Sequence, residues 1–175
     1  TTGTVSFTPT DDSVYEGNET ATIAISSVTG EASESGTQAV TITITENESA
    51  PTVTLYMKID SLGYEYASTW INESNSSKSI KIEAKLSGAT DEDVTVALST
   101  SGTATEGTDY TDGSGNLDDI TISAGSTTGS INFIRSDDSV YEGNETATIA
   151  ISSVSGGSAT ESGSQSVTIT ITDNE

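Results

Sequence analysis

The chain has 175 residues, of which 5 are lysine or arginine and 27 are aspartate or glutamate, so its net charge is −22. It contains no histidine and no cysteine, which excludes a Ser-His-Asp triad, a thiol nucleophile and a zinc site built on imidazole or thiolate. The acidity argues against nucleic acid as a partner, because binding a phosphate backbone needs clustered lysine and arginine. A Ser-Lys or paired-carboxylate enzyme survives these exclusions, but we expect a protein that is not an enzyme and does not bind nucleic acid.

Short segments that alternate valine or isoleucine with threonine or serine predict β-strands along the whole chain. Sustained helical periodicity is absent, and glycine-rich stretches supply turns between the segments. About seven short strands in the part of the chain after residue 50 predict an all-β fold, an antiparallel immunoglobulin-like β-sandwich. In chain order the predicted strands lie within 19–28 and 40–48, then in a strand that starts at Pro51, and then within 78–88, 93–100, 118–125, 130–136, 145–154 and 165–175.

An internal repeat divides the chain. The segment DDSVYEGNETATIAISSV occurs at 11–28 and again, letter for letter, at 137–154. VTITITENE, ending at Glu48, aligns with VTITITDNE, ending at Glu175, after a one-residue insertion. The repeat predicts that residues 50–175 form one complete unit and that residues 1–49 are the C-terminal part of a preceding one. We expect the sequence to be a piece of a tandem array.

The acidic residues gather at predicted strand ends and turns, most densely in the run DDSVYEGNE at 137–145. Ionised carboxylates within about 5 Å of one another cost about 3 kcal/mol per pair at an effective dielectric constant of 20. A fold that gathers them needs a counter-charge, and few basic residues are available. Calcium is the natural candidate, because it takes six to eight oxygen ligands in the flexible geometry that strand-end loops supply. The plain alternative is that these acids are solvated turn residues.

The complete unit resembles a Calx-beta domain, the calcium-binding sandwich of sodium/calcium exchangers, integrin β4 and many bacterial surface proteins. The resemblance rests on GTATEGTDY at 102–110, on DD with YEG and E at 137–145, and on the terminal VTITITDNE. In that family calcium is held at one end of the sandwich by an early glutamate, the GTDY aspartate, the aspartate pair, the following glutamates and an acidic run after the last strand.

Carried onto this sequence, the resemblance implies calcium ligands at Glu73, Asp109, Asp137, Asp138, Glu142, Glu145 and Asp173. Glu65 is the rival of Glu73 for the early position. The terminal run is Asp-Asn-Glu here, where the calcium-sensing members have three aspartates, which implies fewer or weaker ions.

In the partial unit the matching residues are Asp11, Asp12, Glu16, Glu19 and Glu46. The counterparts of the early glutamate and of the GTDY aspartate would lie before Thr1. A fragment of about three strands leaves one face of a sandwich open. We expect residues 1–49 to be disordered, or to complete themselves by strand-swapped pairing with a second chain.

Together these features predict a calcium-binding structural or adhesion module of an extracellular or cell-surface bacterial protein, stiffened by Ca²⁺ and by neighbouring repeats of the same chain. Two alternatives are a regulatory calcium sensor attached to a membrane transporter and a carbohydrate-binding accessory module. The latter would use aromatic residues such as Tyr64, Tyr66 and Trp70, although we expect Trp70 to lie in the core.

Overall fold

The computed structural model describes residues 2–59, 65–74 and 79–175, and none of them is helical. No described segment is therefore a helix long and apolar enough to cross a membrane. The strands are β1 Val14–Tyr15, β2 Glu19–Ala24, β3 Ala39–Ile44, β4 Thr52–Ile59, β5 Glu65–Tyr66, β6 Ser68–Asn72, β7 Ile80–Leu86, β8 Ala89–Thr90, β9 Val94–Gly102, β10 Tyr110–Thr111, β11 Ile120–Ile122, β12 Thr128–Arg135, β13 Glu145–Ser155, β14 Thr160–Glu161 and β15 Ser166–Thr172.

Two sheets form a β-sandwich from the strands after residue 50. One sheet has the order β10-β12-β7-β4-β14, with β5 pairing to β4, and the other has the order β11-β9-β13-β15-β6. Most neighbours are antiparallel, but β14 runs parallel to β4 and β6 parallel to β15. Seven described strands of this part have five or more residues, namely β4, β6, β7, β9, β12, β13 and β15. The predicted all-β sandwich is confirmed.

The core lies between these sheets because the strands alternate in the way the sequence does. In β4 every second residue is buried, from Val53 to Ile59, and β7 and β15 show the same period of two. The largest buried aromatic side chains, Tyr110 and Phe133, stack with their ring centroids 4.8 Å apart. The expectation for Trp70 is wrong: it is 70% exposed, because it lies on the face of β6 opposite to its buried neighbour Ile71.

The part before residue 50 forms a smaller structure of its own. β2 and β3 make an antiparallel hairpin, so the described residues of this part are not simply without structure. β1, which precedes the hairpin, pairs in parallel with β8 of the following unit, with Val14 opposite Ala89 and Tyr15 opposite Thr90. The amide of Asp91 donates a hydrogen bond to the Tyr15 carbonyl at 3.3 Å. We refer to this contact as the β1–β8 joint.

The identical sequence in the second copy provides a control for the joint. Val140 and Tyr141 are 59% and 77% exposed, whereas Val14 and Tyr15 are half-buried against the joint. We expect Tyr15→Asp to speed hydrogen exchange of the Asp91 amide about tenfold or more, because a further negative charge, besides that of Glu16, then faces Asp91. Tyr141→Asp should leave that rate unchanged. Equal rates in both variants, read by NMR or mass spectrometry, would show that the joint does not hold.

Candidate metal centre

The acidic site of the complete unit lies at one end of the sandwich, where several strands end or begin. β6 and β15 run in parallel and both end there, and the antiparallel β13 begins there. The loop before β10 reaches the same end, because Tyr110 pairs with Arg135 at the end of β12. The topology therefore brings together acids that are up to about a hundred residues apart in sequence.

Among the described residues, two groups of carboxylates form at this end. Oxygens of Glu73, Asp173 and Glu175 lie within 4.8 Å of one another, and so do oxygens of Asp109, Glu142 and Glu145. Each group offers three hard oxygen donors, the type that calcium prefers. The groups are close enough to act on each other, since the pKa of Glu142 is raised first by burial, then by the charges of Asp109 and Asp138, and further by those of Glu73 and Asp173.

The Asp173 carboxylate connects two segments of the site by accepting hydrogen bonds from their backbone amides. Its Oδ2 accepts hydrogen bonds from the amides of Glu142 and Gly143, and its Oδ1 accepts one from the Glu175 amide at 2.9 Å. These bonds, chiefly that of Glu175, lower the pKa of Asp173. The carboxylate therefore ties the 142–143 loop to the end of β15 besides belonging to the first group.

Glu46 makes the same arrangement in the first unit. Its Oε2 accepts from the amides of Glu16 and Gly17, at 2.5 and 2.7 Å, and its Oε1 accepts from the amides of Asn47 and Glu48. These bonds hold its pKa at about 2. A glutamate thus replaces an aspartate of the second copy in the same role, because its longer side chain still reaches the loop.

Glu145 is the most perturbed acid of the complete unit. Partial burial, then the charge of Asp109 and a hydrogen bond to it, raise the pKa of Glu145 to about 7. Burial disfavours the ionised form, and neighbouring negative charge disfavours it further. The second group is therefore a place where negative charge accumulates without a basic side chain among its three members.

The first unit gathers its acids around one cavity of about 410 Å³. Its lining includes the predicted Asp11, Asp12, Glu16, Glu19 and Glu46. Glu48 lines the cavity as well. The pKa of Glu16 is raised chiefly by burial and by the charge of Asp12, and the charge of Asp91, across the β1–β8 joint, raises it further.

The predicted ligands of the complete unit are distributed as follows. Glu73, Asp109, Glu142, Glu145 and Asp173 belong to the two groups. Asp138 accepts a hydrogen bond from the Val140 amide at 2.7 Å, and its charge acts on Glu142. Asp137 instead lines a neighbouring cavity of about 390 Å³ together with Glu73 and Arg135.

Two placements could not be read from the sequence. Glu175 belongs to the first group, although only Asp173 of the terminal run is in the predicted ligand set; its place after the last strand was the available signal. The rival Glu65, on β5, is not a member of the group, and its Oε1 lies 3.9 Å from the Lys85 ammonium. Thus Glu73, and not Glu65, stands beside Asp173.

The raised pKa of Glu145 predicts how stability changes with pH in the absence of metal. The folded state holds the Glu145 proton more tightly than the unfolded state, so this stabilisation is complete below pH 4.5 and is lost as pH rises to about 7. The full shift corresponds to about 3 kcal/mol, and screening of a partly exposed group reduces it to about 1–2 kcal/mol. Glu46 and Asp112, whose pKa values are lowered to about 2 from ordinary values of 4.5 and 3.8, act with the opposite sign, since they stabilise as pH rises from about 2 toward those ordinary values.

Denaturant unfolding in chelator should therefore give a free energy of unfolding that is highest near pH 4.5–5 and falls toward pH 7. In Glu145→Gln the fall should be about 1–2 kcal/mol smaller. A profile that is flat from pH 4.5 to 7 in the unsubstituted protein would contradict the assignment.

Comparison with known proteins agrees with the fold. The family model of the Calx-beta domain matches residues 1–48 and 58–175. The chain belongs to the Calx-beta family.

Several solved structures share the fold of this Calx-beta chain. The crystal structure of the apo-form Calx CBD1 domain has a TM-score of 0.50 and 20% identity, over 70% of this chain and 99% of that one. CBD12 from CALX1.2 has a TM-score of 0.52 and 20% identity over 69% and 44%. The Calx CBD2 domain has a TM-score of 0.51 and 13% identity over 71% and 87%. A search of curated proteins finds no significant match to the chain.

Proposed function

We propose that the chain is a calcium-binding structural module, and that Ca²⁺ binds at the strand-end carboxylates of the complete unit. The observation that carries the proposal is the pair of three-carboxylate groups, each within 4.8 Å, at one end of a Calx-beta sandwich. In such a site the ligands would be Glu73, Asp173 and Glu175 for one group and Asp109, Glu142 and Glu145 for the other, with Asp138 beside them.

The donor set fits calcium better than other metals. All six members of the two groups are carboxylates, and the chain offers no histidine or cysteine for a softer ion. Burial, and after it the charges of neighbouring carboxylates, raise the pKa values of Glu142, Glu145 and Glu175, so the ionised forms are disfavoured here without a cation. An ion would supply the counter-charge, and the residues of this chain would contribute the preformed loop ends that hold it.

The repeat defines the wider role in this proposal. Residues 50–175 are one complete Calx-beta repeat, and residues 1–49 are the later part of a preceding one. Support comes from the 18-residue identity between copies and from the β1–β8 joint between them. We place the array in an extracellular or cell-surface bacterial protein, an adhesin, where bound calcium would stiffen the repeats.

A calcium titration followed by thermal unfolding tests the proposal. At a free concentration of about 100 times Kd, binding to the folded state alone adds about 2.7 kcal/mol, or about 5–10 °C in Tm for a domain of this size. Addition of a chelator should reverse the rise, and magnesium at the same concentration should give a smaller one. An unchanged Tm at millimolar calcium would eliminate calcium binding.

A regulatory calcium sensor of a transporter is the second candidate, favoured by the likeness of the fold to the Calx CBD structures. Affinity separates the two roles, because sensors bind with a Kd of about 10⁻⁷–10⁻⁵ M and extracellular modules with about 10⁻⁴–10⁻³ M. Isothermal titration calorimetry with calcium measures this Kd directly, which thermal unfolding does not.

Carbohydrate binding is a third candidate because Trp70 presents 70% of its surface to solvent. Exposed aromatic rings are the surface on which sugars stack. Binding to a glycan array that Trp70→Ala abolishes would favour this candidate. If the protein binds no glycan on the array, this candidate is excluded.

A further inference from the structure

The hairpin of β2 and β3 carries an apolar face that the described part of the chain leaves open. Ile23 and Ile25 are 38% and 48% exposed, Val40 is 64% exposed, and Phe7, ahead of the hairpin, is 41% exposed. Side chains of this kind, clustered on one small element, mark a surface that another element covers.

The second copy shows how the same residues behave when that face is covered. Ile149 and Val167, which align with Ile23 and Val40, are fully buried, and Phe133, which aligns with Phe7, is 1% exposed. They share one core cluster with residues of β4, β7, β9 and β11. All four of those strands lie within residues 50–126.

The strand edges show the same difference. β13 pairs with β9 as well as β15, β15 pairs with β6, and β12 pairs with β7. In the first unit, over residues 2–49, β2 and β3 pair with each other, and residues 2–9, which align with β12, form no strand. Each missing neighbour, the counterpart of β6, β7 or β9, belongs to the same part of a repeat.

We propose that residues 2–49 form an acceptor half-sandwich whose partner is the first part of another Calx-beta repeat, equivalent to residues 50–126 and joined ahead of residue 1 in the same polypeptide. In the complete unit β11 is followed by β12 after only residues 123–127. A partner joined directly ahead of residue 1 therefore reaches its place through an equally short link.

A second copy of the chain does not fill this role. Each copy contains one donor half, residues 50–126, and two acceptor halves, residues 1–49 and 127–175. Exchange of strands between copies therefore moves the open face from one acceptor to another without covering it. The inference rests on the repeat division proposed above and is independent of calcium.

The test extends the full chain by fusing a copy of residues 50–126 ahead of Thr1, and measures amide hydrogen exchange of β2 and β3 in chelator. We expect exchange at Ile23 and Val40 to slow at least about hundredfold, approaching the rates of Ile149 and Val167 in the same molecule. Binding of a hydrophobic dye should fall as the open face is covered.

The matched control carries Ile82→Asp and Val96→Asp in the fused copy alone, because both positions are 0% exposed in the complete unit and a buried charge there prevents the donor from folding. This control should leave the exchange of Ile23 at its original rate. Unchanged exchange in the unsubstituted fusion would overturn the proposal, as would a native chain that is dimeric with a protected β2–β3 hairpin. Protection in chelator, combined with no calcium effect on Tm, would support the acceptor proposal while refuting calcium binding.

Discussion

In chelator at pH 8, Glu145→Gln is expected to be more stable than the unsubstituted protein, and in millimolar calcium it is expected to be less stable. Without metal the substitution removes a negative charge from the group of Asp109, Glu142 and Glu145, where burial and then the charge of Asp109 raise the pKa of Glu145. The gain should be about 1–2 kcal/mol after screening. With calcium the same substitution removes a ligand and weakens the ion that stabilises the folded state.

A matched control exists in the first unit, because Glu19 occupies the same place in the identical NETAT sequence but is exposed. Glu19→Gln should change the free energy of unfolding by less than about 0.5 kcal/mol in chelator. Urea unfolding of the three proteins, with and without calcium, measures all of these values. Stabilisation of Glu145→Gln in both conditions would mean that Glu145 is an unpaired acid and not a ligand.

The second large effect is expected from Gly156→Ala, at the turn that follows β13. Gly156 has φ of 91°, and a Cβ there would lie 2.0 Å from the Asp93 carbonyl oxygen. Backbone atoms cannot move aside as a flexible side chain does, so we expect a loss of about 3 kcal/mol or more. The same shift of the 91–93 loop would disturb the β1–β8 joint, since Asp91 belongs to both.

Gly163→Ala is the control for this substitution. Gly163 also has a positive φ, 71°, but a Cβ added there would meet nothing within 4 Å. Only the left-handed backbone then opposes alanine, at about 1 kcal/mol. Thermal unfolding of both variants separates the steric cost from the conformational one, and equal losses would show that the Asp93 carbonyl is not in contact.

The sandwich was predictable because apolar and polar residues alternate with a period of two in the sequences of its strands. The alternation in IKIEAKL and SVTITIT places one face in the core, and each acid run follows directly after such a segment. Glu73, Asp109, Glu145 and Asp173 could be named together because the resemblance to Calx-beta domains implies ligands at one end of the sandwich.

Other features depend on neighbours that no local pattern contains. Val14–Tyr15 and Val140–Tyr141 lie in identical sequences, yet one pair forms the β1–β8 joint and the other is exposed. Trp70 lies at a sheet edge because β6 crosses to pair in parallel with β15, a long-range pairing. The role of Asp173 as an acceptor for loop amides likewise emerges only when the loop and the strand end are side by side.

The β1–β8 joint has a mechanical consequence for any array built from such units. The joint connects two units through two residue pairs and the Asp91–Tyr15 hydrogen bond. Within the sandwich, β13 and β15 pair through six residue pairs. Under tension along the array, the joint would open at a lower force than is needed to separate β13 from β15. Such an array would lengthen in small reversible steps at its joints, and each folded unit would be shielded from the load.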